Sequence, residues 1–142
     1  MEFREIEFGT AEFDQELDLR RRVLRRPLGL DFNADQIAEE VSEIHLGAFE
    51  DEWLLAVLVL TPREDGELKM RQVAVEPTLQ GSGIGGELVR FSEQVARERG
   101  FTTMVLSARE TAVRFYERLG YSVVGEPYEE VTIPHRWMEK DL

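Results

Sequence analysis

The sequence predicts a mixed α/β domain built around one strand–helix–strand unit. A strand pattern over residues 67–75 leads into a glycine-rich loop, and apolar residues then recur at helical spacing at Ile84, Leu88, Phe91 and Val95. Gly100 caps this helix, and a short apolar strand follows over residues 103–107. Crossovers of this kind are almost always right-handed, so we expect the two strands to be parallel neighbours in one sheet.

Further strands and helices flank this unit on both sides. The N-terminal elements begin with a strand over residues 3–8 and a helix over 12–25 that stops at Pro27 and Gly29. A polar segment over 30–42 follows, which contains a short helix and is placed to cover a site. Strands over 44–49 and 53–61 come next. The C-terminal elements are a helix with Ala112, Phe115, Tyr116 and Leu119 on its buried face, and strands over 121–124 and 133–139 joined by a turn at Glu126-Pro127. Trp53 and Trp137 are expected in the core or in the wall of a cleft.

Length and composition indicate a single soluble domain over residues 1–142, which would bury roughly two thirds of its unfolded surface. The longest apolar run, residues 53–60, is too short to cross a bilayer, and no secretion leader is recognisable, so we expect no membrane partner and a cytoplasmic location. The absence of cysteine excludes disulfides, thiolate metal sites and cysteine nucleophiles. A net charge of −12 disfavours nucleic acid as a partner and is compatible with a cationic amine.

The loop from Gly81 to Gly86 has the composition of an anion-binding site. The first turn of a helix carries backbone N–H groups without intrahelical partners, and the peptide dipoles add positive potential there. Glycines at 81, 83, 85 and 86 let a phosphate approach this backbone closely. A phosphate or pyrophosphate group is therefore the expected ligand.

Two common phosphate-binding loops fit this segment poorly. The ATP-type loop requires a lysine where this chain has Glu87, whose charge has the wrong sign for a triphosphate. The dinucleotide fingerprint G-x-G-x-x-G is matched by Gly81, Gly83 and Gly86, but five residues separate the strand from its first glycine, and only one strand–helix–strand unit fits in the remaining chain. A nicotinamide dinucleotide enzyme is thus kept only as an alternative.

A third type of loop matches better. The segment Gln80-Gly81-Ser82-Gly83-Ile84-Gly85 resembles the Q/R-x-x-G-x-G/A motif of the GNAT superfamily of N-acetyltransferases, and residues 73–77 resemble the strand before it. Residues 106–121 resemble the family segment ending A-x-x-F-Y-x-x-x-G-[FY], with Arg109 where many members carry asparagine. Residues 69–75 and 133–138 resemble a subgroup of small GNAT proteins of mostly unassigned substrate, and the matches together span about residues 44–140.

The resemblance implies a GNAT-type fold in which two parallel strands splay apart and admit the pantetheine arm of acetyl-coenzyme A. The loop amides would bind the pyrophosphate, the strand before the loop would pair with the arm, and an amide near Val73 would stabilise the oxyanion of the reaction. The implied cofactor-binding residues are Val73, Ala74, Val75, Gln80, Gly81, Ser82, Gly83, Ile84, Gly85, Gly86, Arg109 and Tyr116.

Acid–base catalysis needs one proton donor and one proton acceptor. The resemblance implies that Tyr116 protonates the departing thiolate, and a phenol with an ordinary pKa of about 10 carries its proton at neutral pH. The alternative is that Tyr116 only fills the buried face of its helix. The attacking ammonium must lose a proton, and the candidate bases are Glu129, Glu130, His135 and His45. Two histidines without cysteine argue against a zinc site, so no metal is expected.

The predicted function is an N-acetyltransferase that uses acetyl-coenzyme A and a primary amine in a ternary complex, by direct attack. The alternative is an acyl-coenzyme A-binding or regulatory module without turnover. The acceptor, a small-molecule amine or a protein amine, is not encoded in a recognisable motif, and the sequence is equally consistent with a monomer and a homodimer.

Overall fold

The computed structural model describes residues 1–29 and 34–142. Within these ranges the α-helices and strands are β1 Glu2–Ile6, α1 Ala11–Arg20, α2 Ala34–Glu39, β2 Ile44–Glu50, β3 Trp53–Pro62, β4 Glu67–Val75, α3 Ile84–Glu98, β5 Thr103–Arg109, α4 Val113–Arg118, β6 Ser122–Glu130 and β7 Ile133–Asp141. The strand order is β1-β2-β3-β4-β5-β7-β6, with both parallel and antiparallel pairs, which confirms the predicted mixed α/β fold. Each helix in the described ranges is too short or too polar to span a lipid bilayer.

The chain divides into two compact units. The first comprises residues Met1–Leu60 and Gln72–Ser92, and the second comprises Thr61–Arg71 and Glu93–Leu142. The prediction of a single domain over residues 1–142 stays a prediction. The polar segment predicted over residues 30–42 begins with four residues that lie outside the described ranges, and the remainder forms α2 and the 3-10 turn Glu40–Ser42.

The first unit is built on three antiparallel strands and α1. Strand β1 pairs with β2, and β2 pairs with β3. Both β2 and β3 are almost entirely buried, as expected for strands covered on both faces. The core cluster of this unit consists of Ile6, Phe13, Leu19, Phe49, Leu54, Val57 and Ala74.

Helix α1 begins at a capped end and stops earlier than predicted. The hydroxyl of Thr10 accepts a hydrogen bond from the amide of Phe13 at 3.3 Å, which satisfies one of the free N–H groups of the first turn. The α-helix ends at Arg20 and continues as the π-helical turn Arg21–Arg25 and a 3-10 turn, before Gly29 adopts a left-handed conformation with φ 72°. The stop at Gly29 is as predicted, whereas the regular helix to residue 25 was wrong.

The second unit is a four-strand arrangement with one buried face. Residues 67–70 of β4 pair in parallel with Thr103–Leu106 of β5, which confirms the predicted crossover, and β5 and β6 each pair antiparallel with β7. Alternate side chains are buried on one face, namely Leu68, Met70, Met104, Leu106 and Met138. On the same face, the Lys140 ammonium donates to Glu93 of α3 at 2.9 Å, so the end of α3 packs here.

The turn between the last two strands lies five residues after the predicted position. Glu126 and Pro127 lie within β6, where the register with β7 shifts between Val124 and Tyr128. The turn is formed instead by Val131 and Thr132, with φ values of 52° and 60°. The error arose because glycine and proline mark β-bulges as well as turns, whereas β-branched residues usually avoid positive φ.

Two aromatic residues are more exposed than expected. Phe115 was placed on the buried face of its helix but is 37% exposed, because α4 has only six residues. Trp53, expected in the core or in a cleft wall, is 74% exposed at the start of β3. It lines two surface cavities of the first unit, of about 510 Å³ and 420 Å³, so only the cleft-wall alternative fits this residue.

The two-residue turn gives a prediction about stability. Replacing Val131 and Thr132 by Asn and Gly should raise the free energy of unfolding by about 1–2 kcal/mol. The left-handed conformation costs a residue with a Cβ roughly that amount, and Asn-Gly is the preferred sequence for such turns. Urea unfolding would measure the change. Val123→Asn in the regular part of β6 is the control and should not stabilise. An unchanged or lower midpoint for the turn variant would contradict the assignment.

Candidate functional site

Strand β4 changes its backbone conformation at Gln72, immediately before the predicted cosubstrate strand. Gln72 has φ 55°, a left-handed value that is uncommon for a residue with a side chain. The parallel register with β5 covers Glu67–Met70 and ends before this residue. Val73, Ala74 and Val75 follow in the first unit, and the side chain of Ala74 is buried in its core. The sequence contained no signal for this irregularity, because glutamine has no preference for positive φ.

The glycine loop connects a short 3-10 turn, Pro77–Leu79, to α3. The Gln80 side-chain amide donates to the Val75 carbonyl at 3.2 Å and so ties the loop to the end of β4. Gly81 and Gly83 have φ values of 85° and 93°, which explains the need for glycine at both positions. A Cβ at either position would meet no atom within 4 Å, so the space above the loop is open.

The beginning of α3 has the groups that an anion requires. The helix starts at Ile84, and its first internal bond runs from the Glu87 amide to the Gly83 carbonyl at 3.1 Å. The amides of Ile84, Gly85 and Gly86 belong to the first turn, where helical N–H groups have no partner within the helix. Exposed residues Gly81 to Gly83 lead directly into this turn. The predicted pyrophosphate-binding segment therefore has the geometry of a helix N-terminal anion site.

Tyr116 lies in α4 of the second unit and is 8% exposed. Its ring packs edge-on against Tyr121, with 5.8 Å between the ring centroids. Burial raises the pKa of Tyr116 to about 12, so its phenol keeps its proton throughout the physiological range. The protonated state suits a proton donor, and the deep packing equally suits a core residue.

Two predicted base candidates lie side by side in the second unit. The Nε2 atom of His135 is 3.4 Å from a carboxylate oxygen of Glu130, and its Nδ1 donates to the Ile133 carbonyl at 2.7 Å. Since a carbonyl only accepts, Nδ1 must carry a proton, and Nε2 then faces a carboxylate that also only accepts. The pair thus places a carboxylate oxygen beside an imidazole nitrogen, two group types that commonly serve as general bases. Glu129 is exposed at the adjacent position of β6 and stays a prediction.

The hydroxyls of Ser107 and Tyr128 join this pair and were missed at the level of sequence. Ser107 Oγ contacts Tyr128 Oη and lies 3.5 Å from Glu130 Oε2, while the Tyr128 ring stacks on His135 at 6.2 Å between centroids. Register explains the grouping, because Tyr128 is directly opposite His135. Strand alternation could have revealed it only if the β6 bulge had been located. Arg109, the predicted contact to the pantetheine arm, is half-buried opposite His135 on β5.

His45 lies in a buried ionic cluster of the first unit, with Glu16, Arg20 and Glu40. The Arg20 guanidinium bonds to Glu16 at 2.8 Å and to both carboxylate oxygens of Glu40 at 2.8 Å. His45 is 1% exposed, with Nδ1 2.8 Å from the Glu16 carboxylate and Nε2 3.1 Å from the Glu40 carbonyl. Both partners accept, so both ring nitrogens donate and the ring is an imidazolium. Burial alone would lower the pKa of His45, but the hydrogen bond and the charge of Glu16 outweigh it and the pKa is raised.

This ionic cluster matters for both the base and the metal predictions. With both ring nitrogens bound and no exposed surface, His45 is poorly placed to take a proton from a substrate. Glu16, Glu40 and His45 also have the donor types of a metal site, with ligand atoms within 4.8 Å of one another. However, the Arg20 guanidinium already bonds to both carboxylates and supplies the positive charge there. The cluster is therefore best described as structural.

The predicted site residues are thus divided between the two units. Val73 to Val75 and the loop from Gln80 to Gly86 belong to the first unit, whereas Arg109, Tyr116, Glu130 and His135 belong to the second.

The comparisons with known proteins agree on one protein family. Residues 8–121 match the model of the acetyltransferase (GNAT) family. An uncharacterized N-acetyltransferase of Bacillus subtilis is 33% identical over 79 residues, which are 55% of this chain and 56% of the relative. The chain thus spans little more than half the length of that relative.

Solved structures extend the similarity over nearly the whole chain. An acyl-CoA N-acyltransferase from Pseudomonas aeruginosa has a TM-score of 0.82 and 27% identity, with 98% of each chain covered. An aminoglycoside 6′-N-acetyltransferase complexed with coenzyme A has a TM-score of 0.85 and 21% identity, covering 99% of this chain and 97% of that one; at this identity the likeness concerns the fold.

The ionic cluster gives a prediction about pH. Because the pKa of folded His45 lies above its unfolded value of about 6.5, its charged contacts stabilise the fold fully below that pH and are lost as pH rises through the folded pKa. His45→Gln should therefore lower the free energy of unfolding by up to about 3–5 kcal/mol at pH 6, with a smaller loss at higher pH. Denaturant titrations of both proteins from pH 5.5 to 9 would measure this difference.

The control for the pH effect is Thr10→Ala. This change removes the α1 cap and should cost about 1 kcal/mol at every pH. A His45→Gln penalty as constant as that of Thr10→Ala would show that the pKa of His45 is the same in the folded and unfolded states, which would contradict the prediction.

Proposed function

Because this chain belongs to the GNAT family of acetyltransferases, we propose that it is an enzyme that transfers the acetyl group of acetyl-coenzyme A to a primary amine. The observation that carries the proposal is the loop before α3, where two left-handed glycines lead into a helix N-terminus whose first amides suit a pyrophosphate. The coenzyme A complex of the structurally similar aminoglycoside acetyltransferase supports this cosubstrate.

The proposed cosubstrate contacts follow the elements of the first unit. The amides of Gly81 to Gly86 bind the pyrophosphate, with Gln80 holding the loop against β4. The backbone of Val73 to Val75 pairs with the pantetheine arm. Gln72 supports this assignment, because the irregular residue interrupts the strand immediately before these three positions. Arg109 is proposed as a further donor to the arm.

The chemistry is a direct transfer in a ternary complex. The neutral amine attacks the thioester carbonyl, a C–N bond forms and the C–S bond then breaks. An amide near Val73 stabilises the oxyanion of the tetrahedral intermediate, and Tyr116 donates its proton to the departing thiolate. The ammonium loses two protons in all; one ends on the coenzyme A sulfur, through Tyr116, and the other is released to solvent.

The Glu130–His135 pair is the proposed base. Its side chains are 3.4 Å apart, and the Glu130 carboxylate is half-exposed, so a substrate ammonium can reach it. The Ser107 hydroxyl donates to the carboxylate at 3.5 Å, and the Tyr128 hydroxyl contacts Ser107 in turn. His45 is not proposed, because its two nitrogens already bond to Glu16 and Glu40.

One observation favours a second candidate function. Tyr116 is buried against Tyr121, as a purely structural tyrosine would be. If it donates no proton, the chain could bind acyl-coenzyme A as a regulatory module without turnover. The two candidates share the cosubstrate and differ in the role of this phenol.

The cosubstrate is tested by calorimetric titration of acetyl-coenzyme A, coenzyme A and NAD. We expect both coenzyme A forms to bind and NAD not to bind. Gly83→Asp should abolish binding, because it adds a negative charge where the pyrophosphate is proposed to lie. Gly83→Asn is the matched control: it imposes the same strain at φ 93° without the charge, and should bind more tightly than the Asp variant. Preferential binding of NAD, or no binding of either coenzyme A form, would overturn the assignment.

The role of Tyr116 is tested by Tyr116→Phe. We expect kcat to fall by about 10²–10⁴-fold while the affinity for acetyl-coenzyme A is retained, since general acids typically contribute that factor. Tyr121→Phe is the matched control: it removes another buried phenol, which bonds to Glu93 at 2.8 Å, and should cost stability rather than kcat. Steady-state kinetics and calorimetry on both variants measure the two effects. Equal kcat in wild type and Tyr116→Phe would favour a different donor.

A further inference from the structure

The sheet of the second unit has a polar face opposite its buried face. Lys69 is in register with Val105 on β5, and Ser107 is in register with Trp137 on β7. Side chains in register share a face, and alternate residues of one strand do so too. Lys69, Ser107 and Trp137 therefore lie on one face, and each is half-buried rather than enclosed. Tyr128, Glu130 and His135 belong to the same face.

One end of this polar face carries two cations beside an indole ring. The Arg63 guanidinium carbon is 5.2 Å and the Lys69 ammonium 5.4 Å from the centroid of the Trp137 ring. Arg71 follows Lys69 by two residues and reaches Thr61 at 3.5 Å. Two cations thus contact one indole ring, whose Nε1 also donates to the Glu139 carboxylate at 3.3 Å.

The Lys69 ammonium lies beside an aromatic ring instead of a carboxylate. Among the described residues, the Lys69 ammonium contacts the Trp137 ring. No carboxylate oxygen of these residues lies within 4.0 Å of it, the distance of an ion pair. Lys140, in contrast, bonds to Glu93 and to the Leu119 carbonyl. Burial and the neighbouring charges of Arg71 and Arg63 lower the pKa of Lys69, although Glu130 opposes them. A half-buried cation among other cations is unfavourable unless an anion binds there.

The other end of the polar face is the proposed base. Glu130 and Ser107 are 3.5 Å apart, and Ser107 is directly opposite Trp137. The face thus presents a cationic group on β4, which reaches Trp137 of β7, and a carboxylate on β6, which reaches Ser107 of β5. A small molecule with a carboxylate and an ammonium, such as an α-amino acid, has the complementary charges. A single negative charge is favoured over a phosphate dianion, because Glu67 already neutralises part of Arg63 at 3.4 Å.

We propose that the amine acceptor of this protein also carries a carboxylate, which Lys69 and Arg63 bind beside the Trp137 ring while the amine faces Glu130. This proposal rests on the proposed acetyl transfer and adds to it the class of acceptor. Trp137 forms an apolar wall next to the charges, so an acceptor with an aliphatic side chain suits the face better than a fully polar one.

The test uses L-leucine and L-leucinamide, which differ in the carboxylate. In a Trp53→Phe background Trp137 is the sole tryptophan, so its fluorescence reports ligand binding without turnover. We expect L-leucine to change this fluorescence saturably and L-leucinamide to bind at least about tenfold more weakly, the effect of one charge-assisted contact. Lys69→Met in this background should remove the preference, and Lys69→Arg should retain most of it. Arg90→Met, which removes one positive charge from an exposed position on α3, is the control and should leave the preference unchanged.

The same pair of amines is then offered with acetyl-coenzyme A, and product is measured by mass spectrometry. Faster acetylation of L-leucine, with the preference lost in Lys69→Met, supports the inference. Equal or faster acetylation of L-leucinamide, or an unchanged preference in Lys69→Met, overturns it and leaves the acetyltransferase proposal intact. Carboxylate-selective fluorescence without acetylation of any amine instead overturns the proposed transfer, and with it the assignment of the bound molecule as acceptor.

Discussion

The left-handed backbone at Gln72 is the constraint on which the proposed pairing of Val73 to Val75 with the pantetheine arm depends. Backbone N–H and C=O groups of a regular sheet are committed to neighbouring strands and are not available to a ligand. Here the register of β4 with β5 stops after Met70, and a residue in a conformation that costs roughly 1–3 kcal/mol follows. Such strain persists where surrounding structure enforces it. The buried Ala74 and the Gln80–Val75 hydrogen bond fix the segment that follows, so the strand re-enters a defined conformation before the glycine loop.

The buried ionic cluster serves stability rather than chemistry. Glu16 and Arg20 come from α1, Glu40 from the 3-10 turn after α2, and His45 from β2, so the cluster joins three elements of the first unit. Two negative and two positive groups balance, which makes their burial tolerable. A histidine and two glutamates at this spacing would suggest catalysis or a metal if their burial were unknown. The polar side chains of the proposed acceptor site lie elsewhere, around Glu130 and Lys69.

The sequence predicted the centre of the fold more accurately than its C-terminal part. Strand β4 was predicted with its observed bounds, and α3 and β5 within about two residues, because apolar periodicity and glycines are local signals. The β6–β7 turn was misplaced, since Gly125 and Pro127 imitate a turn and Val131 does not. Arg20 could not be singled out among the arginines clustered over residues 20–26, because its partner Glu40 is twenty residues away. The grouping of Ser107, Tyr128 and Glu130 likewise depends on a strand register that local pattern does not encode.

The lysine usage of this chain has a chemical consequence for a protein that handles thioesters. Acetyl thioesters acylate accessible neutral amines without enzymatic assistance, whereas guanidinium groups remain charged and are not nucleophilic. The chain contains fifteen arginines and two lysines. Lys140 is bound to Glu93 and a carbonyl, and Lys69 is half-buried beside Trp137. The chain therefore offers only two lysine amines for self-modification by the proposed acetyl-coenzyme A.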